Sequence, residues 1–301
     1  ERAAVEAAEP PRALGGELAL RRGPHLDAVA VPVVGPGWDD DTVRDLEGFR
    51  EALARRGPVQ LEAVAALEPP VHDSEVLRHG VVHLGSFASE HLESPGATLR
   101  GWKVNRGQPD PILYFGGNAE RIEANREAFA RWFPGRSVYL VAYRGYGAST
   151  GEPSEAALVS DALALFDETQ RLHPGQGIAV IGRSLGSGIA SQLAAQRPVA
   201  RLALITPFDS MVATAKAHYP VFPVGWLLDE RYESDKALKT FGAPVLIVHA
   251  GRDEVVPEAN TVRLIAALSK PPTTVRIANA DHNDISAHPE FESALSEFLS
   301  R

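Results

Sequence analysis

The stretch Ile178-Ala179-Val180-Ile181-Gly182-Arg183-Ser184-Leu185-Gly186-Ser187-Gly188-Ile189-Ala190 decides how the rest of the chain is read. An unbroken apolar run stops at Gly182, and small residues at helical spacing begin just past Ser184. A buried strand that turns sharply into a helix is expected there. Inside the turn, Gly182 and Gly186 stand two residues either side of Ser184. This Gly-x-Ser-x-Gly spacing suits a serine held on a strained backbone, because a side chain at either glycine would strike the neighbouring strand or helix. The hydroxyl would stand at the tip of a sheet and the start of a helix, whose free N–H groups favour developing negative charge.

A Gly-rich strand-to-helix turn can also bind a dinucleotide. Gly186-Ser187-Gly188-Ile189-Ala190-Ser191 comes close to that fingerprint, with Ser191 where the last glycine belongs. Dinucleotide binding also wants an acidic residue at the end of the next strand, about 20 residues on. The next apolar run, Arg201-Leu202-Ala203-Leu204-Ile205-Thr206, ends without one. A presented serine nucleophile is the better fit.

Composition narrows the classes. The 301 residues, 44% hydrophobic and 23% charged, are enough for one large globular domain or one domain plus an appendage. A net charge of −9 argues against nucleic acid, or an anionic membrane surface, as the main partner. No apolar run approaches the ~20 residues of a membrane span. The chain has no cysteine, which excludes disulfides, a thiol nucleophile and thiolate metal sites. His79 and His83 are four apart on an expected strand, but no third ligand lies nearby, so no metal is expected. Residue 1 is Glu rather than an initiator Met, so processing or trimming of the N-terminus is expected. Location stays open between export, with a removed N-terminal segment, and the cytoplasm. Oligomeric state is left open as well.

Two regions are expected: residues 1–76 as an N-terminal extension or small accessory unit, and 77–301 as the catalytic domain. In the first, Ala28 to Val34 reads as a short strand. Thr42 opens a helix with Val43, Leu46, Phe49 and Leu53 on one face, and Pro69-Pro70 marks a boundary. Beyond Gly80 the pattern is regular. Strands are expected at 81–87 and 98–104 around a turn at Ser94-Pro95-Gly96, then at 111–115, 138–143, 178–182, 201–205, 244–249 and 273–278. Helices are expected at 121–132, 154–172 with Ser154 as N-cap, 184–196, 257–268 and 287–299. Alternating strands and helices imply an α/β fold with a mainly parallel sheet covered on both faces. Its ligand site lies outside the carboxyl ends of the strands.

A nucleophile at Ser184 needs a base and an acid at later strand ends, in the order Ser, Asp, His. Asp253 follows the apolar run Val245 to His249, with Glu254 and Asp209 as the competing carboxylates. His282 is the only one of ten histidines just beyond an expected strand in the right order. Two oxyanion donors are expected, the backbone N–H of Leu185 after the nucleophile and that of Asn118 in Gly116-Gly117-Asn118.

Tyr114-Phe115-Gly116-Gly117-Asn118-Ala119-Glu120, Tyr143-Arg144-Gly145-Tyr146-Gly147-Ala148-Ser149, Gly182-Arg183-Ser184-Leu185-Gly186 and Asp281-His282-Asn283-Asp284 fall in one order. Together they resemble the α/β-hydrolase superfamily over roughly residues 77–301, and most of all the group with lysophospholipid lipases, protein depalmitoylases and uncharacterised bacterial hydrolases. The resemblance implies nucleophile, acid and base at Ser184, Asp253 and His282. Two departures stand out. Gly116 replaces the histidine usual in that group, which would leave the oxyanion loop more mobile, and Ala142 replaces a frequent aspartate. Arg144 is expected to pair beneath the site.

The expectation is therefore a serine hydrolase acting on carboxylic esters, or thioesters, through an acyl-enzyme. It needs no cofactor, and its partner is a small acyl ester. Tyr219, Phe222 and Trp226 are expected to line the acyl pocket, on a short insertion before the acid strand. A serine peptidase with the same three residues, and a weakly active binding protein on the same fold, are the alternatives.

Overall fold

A computed structural model describes residues 18–20, 29–31, 88–94, 96–219 and 228–300. The chain divides into two compact units, Glu1–Val71 and His72–Arg301. In the first, β1 (Leu18–Leu20) pairs antiparallel with β2 (Val29–Val31), within the strand expected at 28–34. The helix expected from Thr42 and the strand expected at Val81–Phe87 lie outside the described residues.

The second unit is built on an eight-stranded sheet in the order β10-β9-β8-β7-β5-β6-β4-β3. Its strands are β3 (Ala88–Ser94), β4 (Ala97–Val104), β5 (Asp110–Phe115), β6 (Arg136–Val141), β7 (Ala179–Arg183), β8 (Arg201–Ile205), β9 (Val245–Ala250) and β10 (Thr273–Ile277). The six strands from β10 to β6 pair in parallel, and β4 joins antiparallel to β6 and to β3. The β3–β4 hairpin turns at Gly96, whose φ of +77° suits glycine. The partner of β4 is thus Ala88–Ser94. It stands at the end of the sheet order.

Side chains alternate across a strand, so a sheet covered on both faces needs apolar residues at every position. The central strands meet this demand. Leu113, Val180, Leu202, Leu204 and Ile247 face one core, with Phe166, Ile189 and Leu193 from the helices α2 (Glu155–Leu172) and α3 (Leu185–Ala194). Ile112, Tyr114, Ile181, Ala203, Ile205 and Val248 face the other, with Phe129 of α1 (Arg126–Trp132) and, after β10, Leu295 and Phe298 of the terminal helix Pro289–Ser300. Ser154 caps α2 as expected, its hydroxyl accepting the N–H of Ala157. Between β8 and β9 run α4 (Met211–His218) and the short α5 (Ser234–Ala237). After β9 comes α6 (Glu258–Ala267), and the terminal helix is α7.

The strand order locates the functional end of the sheet. From β5 the chain passes to β6 on one side, then returns to β7 on the other. The connections diverge at the carboxyl ends of β5 and β7, which opens a crevice there. Gly116 follows β5 and Ser184 follows β7, so both lie at this switch point.

Candidate active site

Ser184 has φ +49° and ψ −117°, a region that residues with a side chain avoid. Such a conformation costs on the order of 1–3 kcal/mol and persists only where neighbours fix it. Here they do. The Ser184 N–H donates to the Ile205 carbonyl at 2.9 Å, and the Ser184 carbonyl accepts the N–H of Ser187 at 2.8 Å and its hydroxyl at 2.6 Å. Both flanking glycines are obligatory. A Cβ on Gly182 would meet the Gly186 carbonyl oxygen at 2.4 Å and Ala190 Cβ at 2.7 Å, and one on Gly186 would meet the Phe115 carbonyl oxygen at 2.1 Å.

Three residues from three loops meet at this turn. His282 Nε2 lies 2.9 Å from Ser184 Oγ, and its Nδ1 lies 2.8 Å from Asp253 Oδ2 and 3.0 Å from Oδ1. The Asp253 carboxylate is fixed in turn, because Oδ1 accepts the N–H groups of Val255 at 2.9 Å and Val256 at 2.7 Å. Side chains of His282 and Asp253 are only 8% and 4% exposed, whereas Ser184 is half-buried and reachable. The competing Asp209 is engaged elsewhere, with Arg263 Nε at 2.5 Å and Asn260 Nδ2 at 2.9 Å. Glu254, the other competitor, is exposed.

The loop after β5 lies against Ser184. A Cβ on Gly117 would stand 3.7 Å from Ser184 Cβ. The Gly116 carbonyl accepts the N–H of Gly186 at 3.1 Å and the hydroxyl of Tyr143 at 2.7 Å. The N–H groups of Asn118 and Leu185 make no hydrogen bond with the described residues, and Leu185 opens α3, where such donors are normally free. The histidine-free loop expected to be mobile is thus tethered by other groups. A Cβ on Gly116 would meet Ile122 Cγ2 at 2.9 Å, so a larger residue there would require that side chain to shift.

Glu120 and Arg183 escaped the sequence reading. Glu120 Oε2 accepts the N–H of Gly117 at 2.5 Å and pairs with Arg183 Nη1 at 3.1 Å. Its Oε1 accepts Tyr114 OH at 2.6 Å and Asn125 Nδ2 at 2.7 Å. Burial would raise the Glu120 carboxyl, but the Arg183 charge and these hydrogen bonds outweigh it and hold the group below its ordinary value. Burial, with Glu120 nearby, pushes the Tyr114 hydroxyl well up, so it stays a neutral donor. Arg183 Nη2 donates to the carbonyls of His282 at 3.2 Å and Asn283 at 3.4 Å. Its Nε is buried with no partner among the described residues. No periodic pattern links two charges so distant in sequence; only the register of β5 against β7 brings their loops together.

Arg144 is paired, with Asp161 of α2. Arg144 Nε lies 2.8 Å from Asp161 Oδ2, Ser94 Oγ donates to Asp161 Oδ1 at 2.5 Å, and both charged side chains are buried. Of the expected acyl-pocket residues, Tyr219 is exposed at the end of α4, while Phe222 and Trp226 lie outside the described residues. A cavity of about 170 Å³ lined by Phe241, Pro244, Leu268 and Lys270 opens near the start of β9, at the opposite end of the strands from Ser184. Among the described residues no cluster of His, Asp and Glu could hold a metal ion, and no helix is long and apolar enough to cross a membrane. His79 and His83 lie outside them.

Comparison with known proteins agrees with this architecture. The family described as Serine aminopeptidase, S33 (Hydrolase_4) matches residues 112–235. An uncharacterized protein of Mycobacterium tuberculosis is 38% identical over 199 residues, which cover 63% of this chain and 69% of the relative. Lysophosphatidylserine lipase ABHD12 of Rattus norvegicus is 31% identical over 224 residues, covering 63% of this chain and 56% of that protein. Among solved structures, the Pyrococcus furiosus esterase Pf2001 superposes with a TM-score of 0.59 at 18% identity, over 72% of this chain and 93% of that one. An alpha-beta hydrolase from Vibrio vulnificus gives 0.59 at 22% identity, over 71% and 81%. The two structures share the fold, and with the family match and the relatives they establish that the chain belongs to the α/β-hydrolase family.

Proposed function

We propose that this protein is a serine hydrolase that cleaves carboxylic esters, or thioesters, of small acyl substrates through an acyl-enzyme. The observation that carries this reading is the hydrogen-bonded chain Ser184 Oγ–His282 Nε2 at 2.9 Å and His282 Nδ1–Asp253 Oδ2 at 2.8 Å, at a strained turn. In the proposed reaction His282 Nε2 takes the Ser184 proton as Oγ attacks the acyl carbon. Asp253 holds the ring in the tautomer with Nδ1–H and stabilises the imidazolium. The oxyanion accepts the free N–H groups of Leu185 and Asn118. His282 then protonates the leaving alcohol or thiol, and water repeats the sequence on the acyl-enzyme to release the acid.

An aminopeptidase, as the matched family's description would suggest, needs a carboxylate free to bind the substrate's ammonium group. Glu120, beside the Gly116–Gly117 turn, has both oxygens engaged and pairs with Arg183. Glu120 is therefore not available for that role. The reading assigns hydrolysis to residues 77–301, which contain every residue named in the mechanism, and an accessory role to residues 1–76.

Reaction with a fluorophosphonate probe tests it. Labelling of the wild type, lost in Ser184→Ala and accompanied by turnover of p-nitrophenyl esters, is the expected result. Labelling that survives the substitution would remove Ser184 from the mechanism. Turnover of aminoacyl amides far above esters would favour the peptidase.

A further inference from the structure

We infer that Glu120, paired with Arg183, is a positioning residue that aims the oxyanion donor of Asn118 and links it rigidly to the loop carrying His282. The inference rests on the serine-hydrolase reading and deepens it.

The donor in question is the N–H of the Gly117–Asn118 peptide unit. In a trans peptide the N–H points away from the carbonyl, so whatever fixes the Gly117 carbonyl also aims the Asn118 N–H. The Gly117 carbonyl accepts the N–H of Glu120 at 3.3 Å, and the Glu120 carboxylate accepts the Gly117 N–H at 2.5 Å. Glu120 therefore holds this glycine from both sides. Glycine offers little resistance of its own to peptide rotation, so the restraint has to come from such contacts.

The carboxylate is itself held. Tyr114 OH and Asn125 Nδ2 occupy Oε1, and Arg183 Nη1 lies 3.1 Å from Oε2. Arg183 is the last residue of β7, directly before Ser184, and its Nη2 reaches the carbonyls of His282 and Asn283. One guanidinium thus spans the loop after β5 and the loop after β10. The side chains of Arg183 and Glu120 are 17% and 11% exposed, so solvent screens the pair weakly. While making these contacts, the buried Arg183 Nε has no partner among the described residues. Oxyanion stabilisation depends on donors fixed before the reaction, and misplacement by a fraction of an ångström reduces it.

The test compares wild type with Glu120→Gln, which keeps the shape and removes the charge, and with Tyr114→Phe, which removes one tether of the carboxylate. Active sites are counted by fluorophosphonate titration, and kcat per titrated site and KM are measured on p-nitrophenyl butyrate. Inhibition by an alkyl boronic acid reports tetrahedral binding. Glu120→Gln is expected to lower kcat per site roughly 10–100-fold, short of the ~10²–10³ for outright loss of an oxyanion donor, with KM nearly unchanged. Boronate affinity should fall in parallel with kcat/KM, and Tyr114→Phe should show a smaller change of the same kind. A merely structural role would lower the number of titratable sites and leave kcat per site alone. Unchanged kcat per site and boronate affinity in both folded variants overturn the inference while leaving the hydrolase reading standing. A wild type that is neither labelled nor active overturns both.

Discussion

Tyr146 donates its hydroxyl to Asn118 Oδ1 at 2.6 Å, tying the loop after β6 to the residue whose N–H is the proposed oxyanion donor. Its ring packs edge-on against Tyr143 at 5.7 Å, and Tyr143 in turn holds the Gly116 carbonyl. Burial raises the Tyr146 hydroxyl, which keeps it a neutral donor across the working range of pH. A single, partly exposed hydrogen bond contributes about 0.5–1.5 kcal/mol, or roughly 2–10-fold in rate if all of it acts in the transition state. Tyr146→Phe should accordingly lower kcat on p-nitrophenyl butyrate within that range and leave the unfolding midpoint nearly unchanged. No change in kcat would mean that the Asn118 side chain has no part in holding the loop.

Of the three carboxylates that compete on sequence for the acid, Asp253 and Asp209 make contacts that predict opposite phenotypes. Asp253 reaches His282, while Asp209 reaches Arg263 and Asn260. Asp253→Asn should reduce kcat by about 10³–10⁴ with the fold intact, because the imidazole loses its orienting charge. Asp209→Asn should leave kcat per active site within about twofold and cost about 1.5–3 kcal/mol in urea unfolding, the range for a hydrogen bond to a charged group. Exchange of these two phenotypes would reassign the acid.

What could be read from sequence follows from how local each constraint is. The Ser184 turn is dictated by glycines two residues away, Asp253 sits just past an apolar run, and His282 sits just past a short β-branched strand, so short windows suffice. Helix α4 was less legible. Met211–His218 is short, rich in Ala and Thr, and signalled mainly by the Ser210 cap, whose hydroxyl accepts the Ala213 N–H. The partner strand of β4 has a weak signature for a related reason. Ala88–Ser94 is a polar stretch at the end of the sheet order, without the apolar run that marks the central strands. The Glu120–Arg183 pair had no local signature at all, and depends on β5 and β7 being neighbours.

The buried pair Arg144–Asp161 joins the loop after β6 to α2, with Ser94 of β3 donating to the same carboxylate. Its side chains are 9% and 6% exposed. Removing one partner leaves the other charge buried and unpaired, which costs about 3–5 kcal/mol. Asp161→Ala should lower the stability measured by urea denaturation by that amount. A loss below ~1 kcal/mol would mean that Arg144 finds another partner or reaches water.

Glu120 also predicts a pH dependence of stability. Burial opposes its ionisation, yet Arg183 and the hydrogen bonds win and hold the folded-state carboxyl below its unfolded value. The unfolded chain therefore binds the proton more readily. The stabilisation is complete above the ordinary carboxylate range, near pH 4, and is lost as pH falls through the lowered folded value. The stability difference between wild type and Glu120→Gln should be flat around neutral pH and shrink on acidification below that range. A difference that grows as the pH falls would reverse the sign of the interaction.

Acyl preference separates an esterase from a long-chain lipase, and here magnitudes decide. Each buried methylene contributes ~0.8 kcal/mol, so enclosing four more carbons would add roughly 3 kcal/mol, about a hundredfold in kcat/KM. Such a gain requires apolar walls that exclude water. Tyr219, the described residue of the expected wall, is 49% exposed, and Val255, beside the acid loop, is 47% exposed. The segment between β8 and β9 spans residues 206–244 and already contains α4 and α5, which leaves little chain for a deep cover. Butyrate and hexanoate esters should therefore be hydrolysed with the highest kcat/KM, declining towards laurate and palmitate. The measurement is made on monomeric enzyme below micelle-forming concentrations. A steady rise in kcat/KM with chain length, approaching the methylene increment at each step, would mean that the acyl chain is enclosed, and would move the proposed substrate class to long-chain lipids.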